Sequence, residues 1–487
     1  MKNTSTSSAK STLLFLLSVY VSSFTFGFLN ISGKVYQDIP KIEIRSNKIS
    51  RYKLNIKFNG NDESVNNTIS HVVVNNLEIT KLFNIYTTHD EDSQSTMGDI
   101  EFYCNIEINK NSNIIEARIK IKDAKHKRSG KSNVVHDDQE FVINGKHNYI
   151  HLLGHKISNH IFETITNMKG LFDTKIIYVE DTTDKTIRKE KCKNETGINS
   201  NTNTRLAQMD FGGTNHSYII KSSGNGIFIS PKYSPDNTKI AYVAFDRNAK
   251  KDKDKVFNIH IYDVKKKKSY IAINDSITKA LTKHFDGKVP QMSYAPRFSH
   301  DGNSIVFAMV SDGTSAIYSY DLVNKKICIL TKHRYNTKKA IDTSPCYIKD
   351  GKGIVFTSDK YGIEQIFTMD IDGKNEKRLT YKRGKYSQPV SSPNGDLIAF
   401  TKQQNNQFYI CTMDINGRNE KELVSGYLVE EPCFSPDGRY IAFTYAPNSM
   451  AYSRIAVVDI TGRHMFILKT PSDRSCFSPA WSNSYEL

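Results

Sequence analysis

The sequence predicts an all-β six-bladed β-propeller with a smaller N-terminal α/β domain. One segment recurs through the second half of the chain, first after 65 residues and then at intervals of 43 to 49 residues, the length of one propeller blade. A copy contains four short, alternating strand patterns separated by turn residues. Ahead of these copies, the hydrophobic pattern mixes strands with helices.

Each repeat begins with a proline, continues through a turn of the Ser-Pro-Asp-Gly kind and ends in a strand pattern. Five full copies occupy residues 231–242, 296–307, 345–356, 389–400 and 432–443, and a sixth begins at Pro479. Proline is tolerated at the start of a strand, where no ladder donor is needed. Proline and glycine in the turn supply the φ angles that the turn requires. Two further strand patterns follow the copy at 345–356, which gives four strands for one blade.

The strands missing from the sixth copy are predicted ahead of the first. Residues 175–179 match the second strand of a blade, and residues 205–220 match its third strand, turn and fourth strand. The last blade is therefore composite, and it closes the ring without an exposed sheet edge. We place the propeller at residues 173–487, with extra polar insertions at 180–204 and 249–255.

Residues 29–172 are predicted to form the separate α/β domain. Residues 52–58 and 114–121 alternate as strands, and residues 72–83 have the pattern of a helix. The clearest helix covers residues 149–168, where isoleucine and leucine form one apolar stripe.

Residues 1–28 are predicted to be a signal peptide. Lys2 and Lys10 precede a short apolar run at residues 13–17, which is typical of a secretory signal. The run is short and interrupted by serine, so we favour a cleaved signal over an uncleaved N-terminal anchor. The sequence thus predicts an exported mature protein with no direct membrane span.

Composition and charge point to no anionic partner. The formal net charge is +16, which could indicate nucleic acid or a membrane surface. The lysines are scattered, however, and their one tight run, residues 265–268, lies where a hairpin turn is expected. We therefore predict no nucleic-acid partner. Seven cysteines without a Cys-x-x-Cys pair argue against a zinc site and a complete disulfide framework.

Candidate catalytic and metal motifs are incomplete. A propeller-capped serine peptidase would need a Gly-x-Ser-x-Gly nucleophile elbow, and residues 313–317 fail at the last position. Residues His147, His151, His155 and His160 lack a carboxylate partner and suggest a half-exposed helix flank instead of a metal site. The Asp-x-x-Gly segments at 370–373, 414–417 and 459–462 lack the distal glutamate of a calcium loop and are interpreted as turns. We predict no enzyme activity, no metal and no cofactor.

Residues 358–370, together with Asp372, Gly373 and Leu379, resemble the TolB family of the Tol-Pal system. So do residues 170–179 at the domain junction and residues 77–83 in the N-terminal domain, whereas residues 90–97 depart from the family pattern. The resemblance implies a non-enzymatic adaptor in the periplasm that supports outer-membrane integrity and invagination during cell division. Its implied partners are Pal, the peptidoglycan-associated outer-membrane lipoprotein, and TolA of the inner membrane, engaged through the mature N-terminus. The alternative is an exported propeller scaffold that binds another protein or a glycan.

The resemblance also implies where Pal would bind. Family contacts fall just before the strand prolines at one mouth of the propeller channel, which points to Met292, Ala295 and Thr343. Tyr386 and Glu430 hold analogous positions in the next two repeats and are added to the predicted site. We expect these five residues to lie in loops at the rim, where aromatic, aliphatic and charged side chains suit a binding surface.

Overall fold

The structure is a computed structural model, and two compact units divide the chain. It describes residues 51–87, 100–124, 139–182, 203–220, 226–246, 257–273, 277, 292–311, 313–331, 340–349, 351 and 353–485. The predicted signal peptide, the insertion at 249–255, most of the insertion at 180–204 and the segment 90–97 lie outside these residues. One unit comprises residues 45–175 with 210–214 and 484–487, and the other contains residues 176–209 and 215–483.

The first unit is a five-stranded sheet with two helices. Its strands are β1 (Tyr52–Gly60), β2 (Phe83–Thr87), β3 (Phe102–Asn111), β4 (Ile114–Asp123) and β5 (Gln139–Lys146), and its helices are α1 (Glu63–Ile79) and α2 (Ile150–Thr166). The strand order is β2-β1-β3-β4-β5. Strand β1 pairs in parallel with β2 and β3, and the remaining pairs are antiparallel. A one-turn 3-10 helix, His147–Tyr149, precedes α2.

Helix α1 differs from the predicted helix at 72–83. It begins after Asp62, whose carboxylate accepts a hydrogen bond from the Val65 N–H at 3.1 Å. This is a standard N-cap, which satisfies a backbone donor at the helix start. The helix ends at Ile79, and Phe83 begins β2 instead. Helix α2 is confirmed over most of the predicted range and is followed by Asn167 in the left-handed region, at φ 55°.

The second unit is the six-bladed propeller that the sequence predicts. Among the described residues, each blade is one sheet of four strands. Blade 1 contains β9 (Gly226–Tyr233), β10 (Lys239–Asp246), β11 (Asn258–Asp263) and β12 (Lys268–Ile271). Blade 2 contains β13 (Met292–Phe298), β14 (Ser304–Ser311), β15 (Thr314–Asp321) and β16 (Ile327–Ile329). Blade 3 contains β17 (Asp342–Tyr347), β18 (Gly353–Ser358), β19 (Gln365–Asp370) and β20 (Lys377–Arg378). Blade 4 contains β21 (Lys385–Ser391), β22 (Leu397–Gln404), β23 (Gln407–Asp414) and β24 (Lys421–Gly426). Blade 5 contains β25 (Leu428–Phe434), β26 (Tyr440–Ala446), β27 (Arg454–Asp459) and β28 (Met465–Ile467).

Blade 6 is built from distant parts of the chain. It contains β6 (Lys175–Asp181), β7 (Thr204–Asp210), β8 (Ser217–Ile220) and β29 (Cys476–Trp481), in the order β29-β6-β7-β8. Phe477 pairs with Val179, and Ala480 pairs with Ile177. Strand β29 also contacts β26 of blade 5 and β9 of blade 1, so the ring is closed through this strand. Trp481, at its end, is only partly buried.

Large aromatic residues fill the space between the blades. The last residue of each full repeat is aromatic and buried: Tyr242, Phe307, Phe356, Phe400 and Phe443. Two of these rings stack on a ring from the third strand of the same blade, with centroids 5.9 Å apart for Phe307 and Tyr318. In the described part of the chain, no helix combines the length and the apolarity that a membrane crossing needs.

Candidate functional site: the propeller channel and its mouth

Every innermost strand carries a β-bulge at the repeat proline. The pairing register with the second strand shifts across a dipeptide that ends in this proline. The residue before the proline has a positive φ in all six blades: Ser230, Ala295, Ser344, Gln388, Glu431 and Ser478. A left-handed conformation costs a non-glycine residue about 1–2 kcal/mol. Because the strain recurs in every blade, the bulge is a built-in feature of the channel wall.

The bulges join neighbouring blades. The Gln388 N–H donates to Thr357 Oγ1 of blade 3 at 3.2 Å, and the Glu431 N–H donates to Gln388 Oε1 of blade 4 at 2.9 Å. The Ser478 N–H donates to Thr444 Oγ1 of blade 5 at 3.0 Å. An amide freed from its own ladder thus finds an acceptor on the preceding blade, which satisfies a donor that would otherwise be costly to bury.

The Glu431 carboxylate belongs to the same bonding pattern. Its Oε1 accepts a hydrogen bond from Ser478 Oγ at 2.6 Å, and its Oε2 accepts one from Thr444 Oγ1 at 3.1 Å. Both oxygens are therefore engaged in contacts within and between blades.

The residues that directly follow the repeat prolines form what we term the channel ring: Lys232, Arg297, Cys346, Val390, Cys433 and Ala480. Lys232 of blade 1 interacts electrostatically with Arg297, Cys346 and Cys433, which belong to three other blades. Side chains from blades around the ring therefore face one central space. Burial, and next the charge of Arg297, lowers the pKa of Lys232 to about 7. Burial raises the pKa of the Cys433 thiol to about 11.

The five predicted Pal-binding residues lie at the same end of blades 2 to 5, but within strands. Met292 begins β13 and is partly buried, whereas Ala295, Thr343, Tyr386 and Glu430 are buried. The expectation that they lie in loops is therefore wrong. The bulge leaves the proline unpaired, and the residues before it pair with the second strand again, as Tyr294 does with Ala308. Tyr386 also donates its hydroxyl to the Glu420 carboxylate at 3.3 Å.

An exposed aromatic surface that the sequence did not predict lies on the same face of the propeller, at the turn between β18 and β19 and after the outermost strand β20. Tyr361 and Tyr381 of blade 3 are 69% and 70% exposed. The Arg378 guanidinium lies over both rings, 5.8 Å and 4.8 Å from their centroids. The Tyr386 N–H donates to Glu364 O at 2.9 Å, which places the turn that carries Tyr361 beside the start of β21. The sequence feature that indicates this surface is an aromatic residue, Tyr361, inside a polar turn. We term Tyr361, Tyr381 and Arg378 the mouth patch.

His155 and the aspartates of the turns have structural partners. His155 is buried, which corrects the expected half-exposed flank: it accepts from Asn76 Nδ2 at 2.8 Å and donates to Asp210 Oδ2 at 2.9 Å. In the turns, Asp414 Oδ1 accepts from the Arg418 N–H at 2.8 Å, and Asp459 Oδ2 accepts from the His464 N–H at 2.8 Å. Among the described residues, no cluster of three or more His, Cys, Asp or Glu is placed to hold a metal.

The serine of the incomplete Gly-x-Ser-x-Gly segment also has a structural role. Ser315 Oγ donates to Asp342 O of blade 3 at 2.7 Å and lies 2.8 Å from the Tyr294 hydroxyl. Its hydroxyl therefore joins two blades.

The ring has six blades, each with a strained bulge at the channel, and five of them have a Ser-Pro-Asp-Gly type of hairpin after the innermost strand. These features define a class of repeat propeller. The family model described as the TolB beta propeller domain matches residues 162–485. The chain belongs to this family.

Related proteins agree with this assignment. The Tol-Pal system protein TolB of Gluconobacter oxydans (strain 621H) is 32% identical over 335 residues, 68% of this chain and 64% of that protein. Its namesake in Rickettsia rickettsii (strain Sheila Smith) is 34% identical over 161 residues, 33% of this chain and 28% of that protein. The chain thus spans less than two thirds of the length of these relatives. The crystal structure of TolB from Acinetobacter baumannii has the same fold, with a TM-score of 0.68 over 89% of this chain and 97% of that one, at 21% identity.

Proposed function

We propose that the protein is a non-enzymatic adaptor of the Tol-Pal system in the periplasm. It binds a Pal-type lipoprotein at the channel mouth and a TolA-type inner-membrane protein through its mature N-terminus, and so serves outer-membrane integrity and invagination during cell division. The observation that carries this proposal is the match of the TolB family model to residues 162–485, which include all six blades.

The mouth patch supports a protein partner. Binding energy in protein interfaces concentrates in a few residues, and tyrosine and arginine are enriched among them. Tyr361 and Tyr381 are exposed, and Arg378 holds both rings by cation–π contact, so little side-chain entropy is lost on binding. Met292 is the most accessible of the five predicted contact residues. The Pal surface is thus proposed to extend from Met292 to the mouth patch.

A binding role also suits the polar groups near the channel. The Ser315 hydroxyl and the Glu431 carboxylate have hydrogen-bonding partners on neighbouring blades. Groups held in this way rigidify the ring and present a preorganised surface, which favours recognition.

The experiment is a calorimetric titration of the purified protein with the soluble domain of the Pal-type lipoprotein from the same organism. Tyr361→Ala and Tyr381→Ala should each weaken binding about tenfold or more, and Met292→Arg should do the same by placing an unpaired charge in the interface. The matched control is Tyr270→Ala, which removes another exposed tyrosine from the outer strand of blade 1. It should leave the affinity unchanged.

Ala295→Arg and Thr343→Arg test the residues that are buried. Each forces a long charged side chain into a packed strand, so each requires a melting curve beside the titration. Absence of saturable Pal binding by the wild-type protein would reject the proposed function. Wild-type affinity in all the folded mouth variants would place the contact surface elsewhere.

A further inference from the structure

The channel ring carries positive charge that the proposed mouth does not use. We propose that the channel binds an oxyanion, the carboxylate or phosphate group of a small ligand, between Lys232 and Arg297. This site is separate from the mouth patch and does not depend on the Pal-binding proposal.

The repeat brings the two cationic side chains together. Each directly follows the bulge proline of an innermost strand, in the adjacent blades 1 and 2. Equal positions in neighbouring repeats occupy equal levels of a propeller channel. Both residues are partly exposed to solvent.

The ammonium group of Lys232 has N–H donors available for a ligand. Lys232 Nζ donates to Pro479 O of blade 6 at 3.4 Å, longer than a good N–H···O bond, and an ammonium carries three donors. In the described part of the chain, neither Lys232 nor Arg297 forms an ion pair with a carboxylate. Glu431 interacts with Lys232 electrostatically, but its two carboxylate oxygens accept hydrogen bonds from Thr444 and Ser478.

The titratable groups that face Lys232 are Arg297, Glu431, Cys346 and Cys433. Burial and Arg297 disfavour its charged form, and the pKa falls to about 7. An oxyanion between the two cations would favour the charged form, because an opposite charge at short range raises the pKa of a lysine. Binding at pH 8 should therefore be accompanied by proton uptake at Lys232.

The experiment is calorimetry on the mature full-length protein at pH 8, in two buffers of different ionisation enthalpy. The probes are inorganic phosphate and, separately, succinate. The wild-type protein should bind at least one probe saturably and take up protons. A higher affinity for phosphate would indicate a ligand with a phosphate group, and a higher affinity for succinate would indicate one with a carboxylate group.

Four variants test the residues. Lys232→Met and Arg297→Met should each weaken binding about tenfold or more, the effect of removing a charged hydrogen-bond donor. Lys232→Arg retains the charge, so binding should persist while proton uptake disappears. The control Lys266→Met, in an exposed hairpin turn, should behave as the wild type. Failure of both probes to bind, or unchanged affinity in both methionine variants, would overturn the inference.

Discussion

At the scale of single residues, the six bulge positions show that place in the repeat, and not side-chain type, sets the backbone conformation. They hold serine in three blades and alanine, glutamine and glutamate in the others, all with φ between 51° and 58°. None is glycine, although glycine would adopt this conformation without strain. The proline that follows has no N–H to donate to the strand ladder, so it lies unpaired in the bulge. The residue before it adopts the left-handed conformation.

Ala295 allows this strain to be measured. Ala295→Gly should relieve about 1–2 kcal/mol of left-handed strain, and this gain is offset by the flexibility of glycine and the loss of a buried methyl group. The free energy of unfolding should stay within about 0.5 kcal/mol of the wild type. The matched variant is Ala308→Gly, in the strand position that pairs with Tyr294. It should lose about 1–2 kcal/mol, because no strain is relieved there. Equal losses in urea denaturation would show that the bulge is unstrained.

Lys232 should make stability depend on pH. Its pKa is about 7 in the folded protein and near the ordinary lysine value of 10.5 in the unfolded chain. Between these values the unfolded state binds more protons, so stability from this group rises with pH. Its destabilising effect is complete below pH 7 and is lost toward pH 10.5. Lys232→Met should therefore raise the melting temperature at pH 6 and raise it less at pH 9.

The same comparison on Lys266→Met serves as the control, since Lys266 is exposed in a turn. A Lys232→Met gain that is equal at both pH values would mean that the lysine is not held near neutrality. Melting in buffers free of phosphate and carboxylate keeps a bound oxyanion from masking the effect.

At the scale of elements, the sequence predicted best the strands that the repeat marks. A proline, a turn and an apolar alternation together specify β17, β18 and their equivalents. Helix α1 was only half recognised because its first turns hold Asn66, Asn67 and Thr68, whose polarity hides the apolar stripe. Strand β3, which the sequence analysis does not predict, buries Cys104, Ile106 and Ile108 on one face, and the sequence shows the same alternation.

The candidate site was less predictable than the fold. The residue before a proline favours an extended backbone, so local preference gives no sign of a left-handed bulge. The burial of Tyr386 and Thr343 follows from strand pairing upstream of the proline, which depends on that bulge. The nearness of Lys232 and Arg297 depends on the closed ring and has no local signal.

The two helices of the N-terminal unit approach closely at Gly154. A Cβ atom there would lie 2.8 Å from Val72 Cγ1. Gly154→Ala should therefore destabilise the protein by about 1–3 kcal/mol through overpacking, despite the better helix propensity of alanine. In a double-mutant cycle, Gly154→Ala should cost less when Val72 is replaced by alanine. Additive losses in denaturant titration would contradict a direct contact between these positions.

At the scale of the whole molecule, closure through blade 6 governs the integrity of the ring. Removing residues 479–487 deletes half of β29 and leaves Ile177 without its partner on β29. The resulting edge exposes apolar side chains and unpaired backbone groups. The shortened chain should melt at least about 5 °C lower, and less cooperatively, than the intact one. Removing residues 484–487 alone leaves β29 in place and is the control.

Trp481 contributes to this closure less than a fully buried tryptophan would. It is partly exposed, so Trp481→Ala should lower the free energy of unfolding by about 1–3 kcal/mol, below the usual loss for a buried tryptophan.

If the chain lacking 479–487 melted at the wild-type temperature, blade 6 would not hold the ring together.

The composite blade also sets a late step in the making of the protein. Val179 and Phe477 are partners, but nearly the entire propeller segment is synthesised between them. Bringing such distant strands together has a loop-closure entropy cost, and non-local pairing slows folding. Blades 1 to 5 can form from neighbouring parts of the chain before β29 is synthesised, whereas blade 6 cannot be completed without it. A chain interrupted before that strand presents the edge of β6, and such edges invite aggregation. The ring can therefore close after β29 has been synthesised, and a chain that stops before β29 leaves it open.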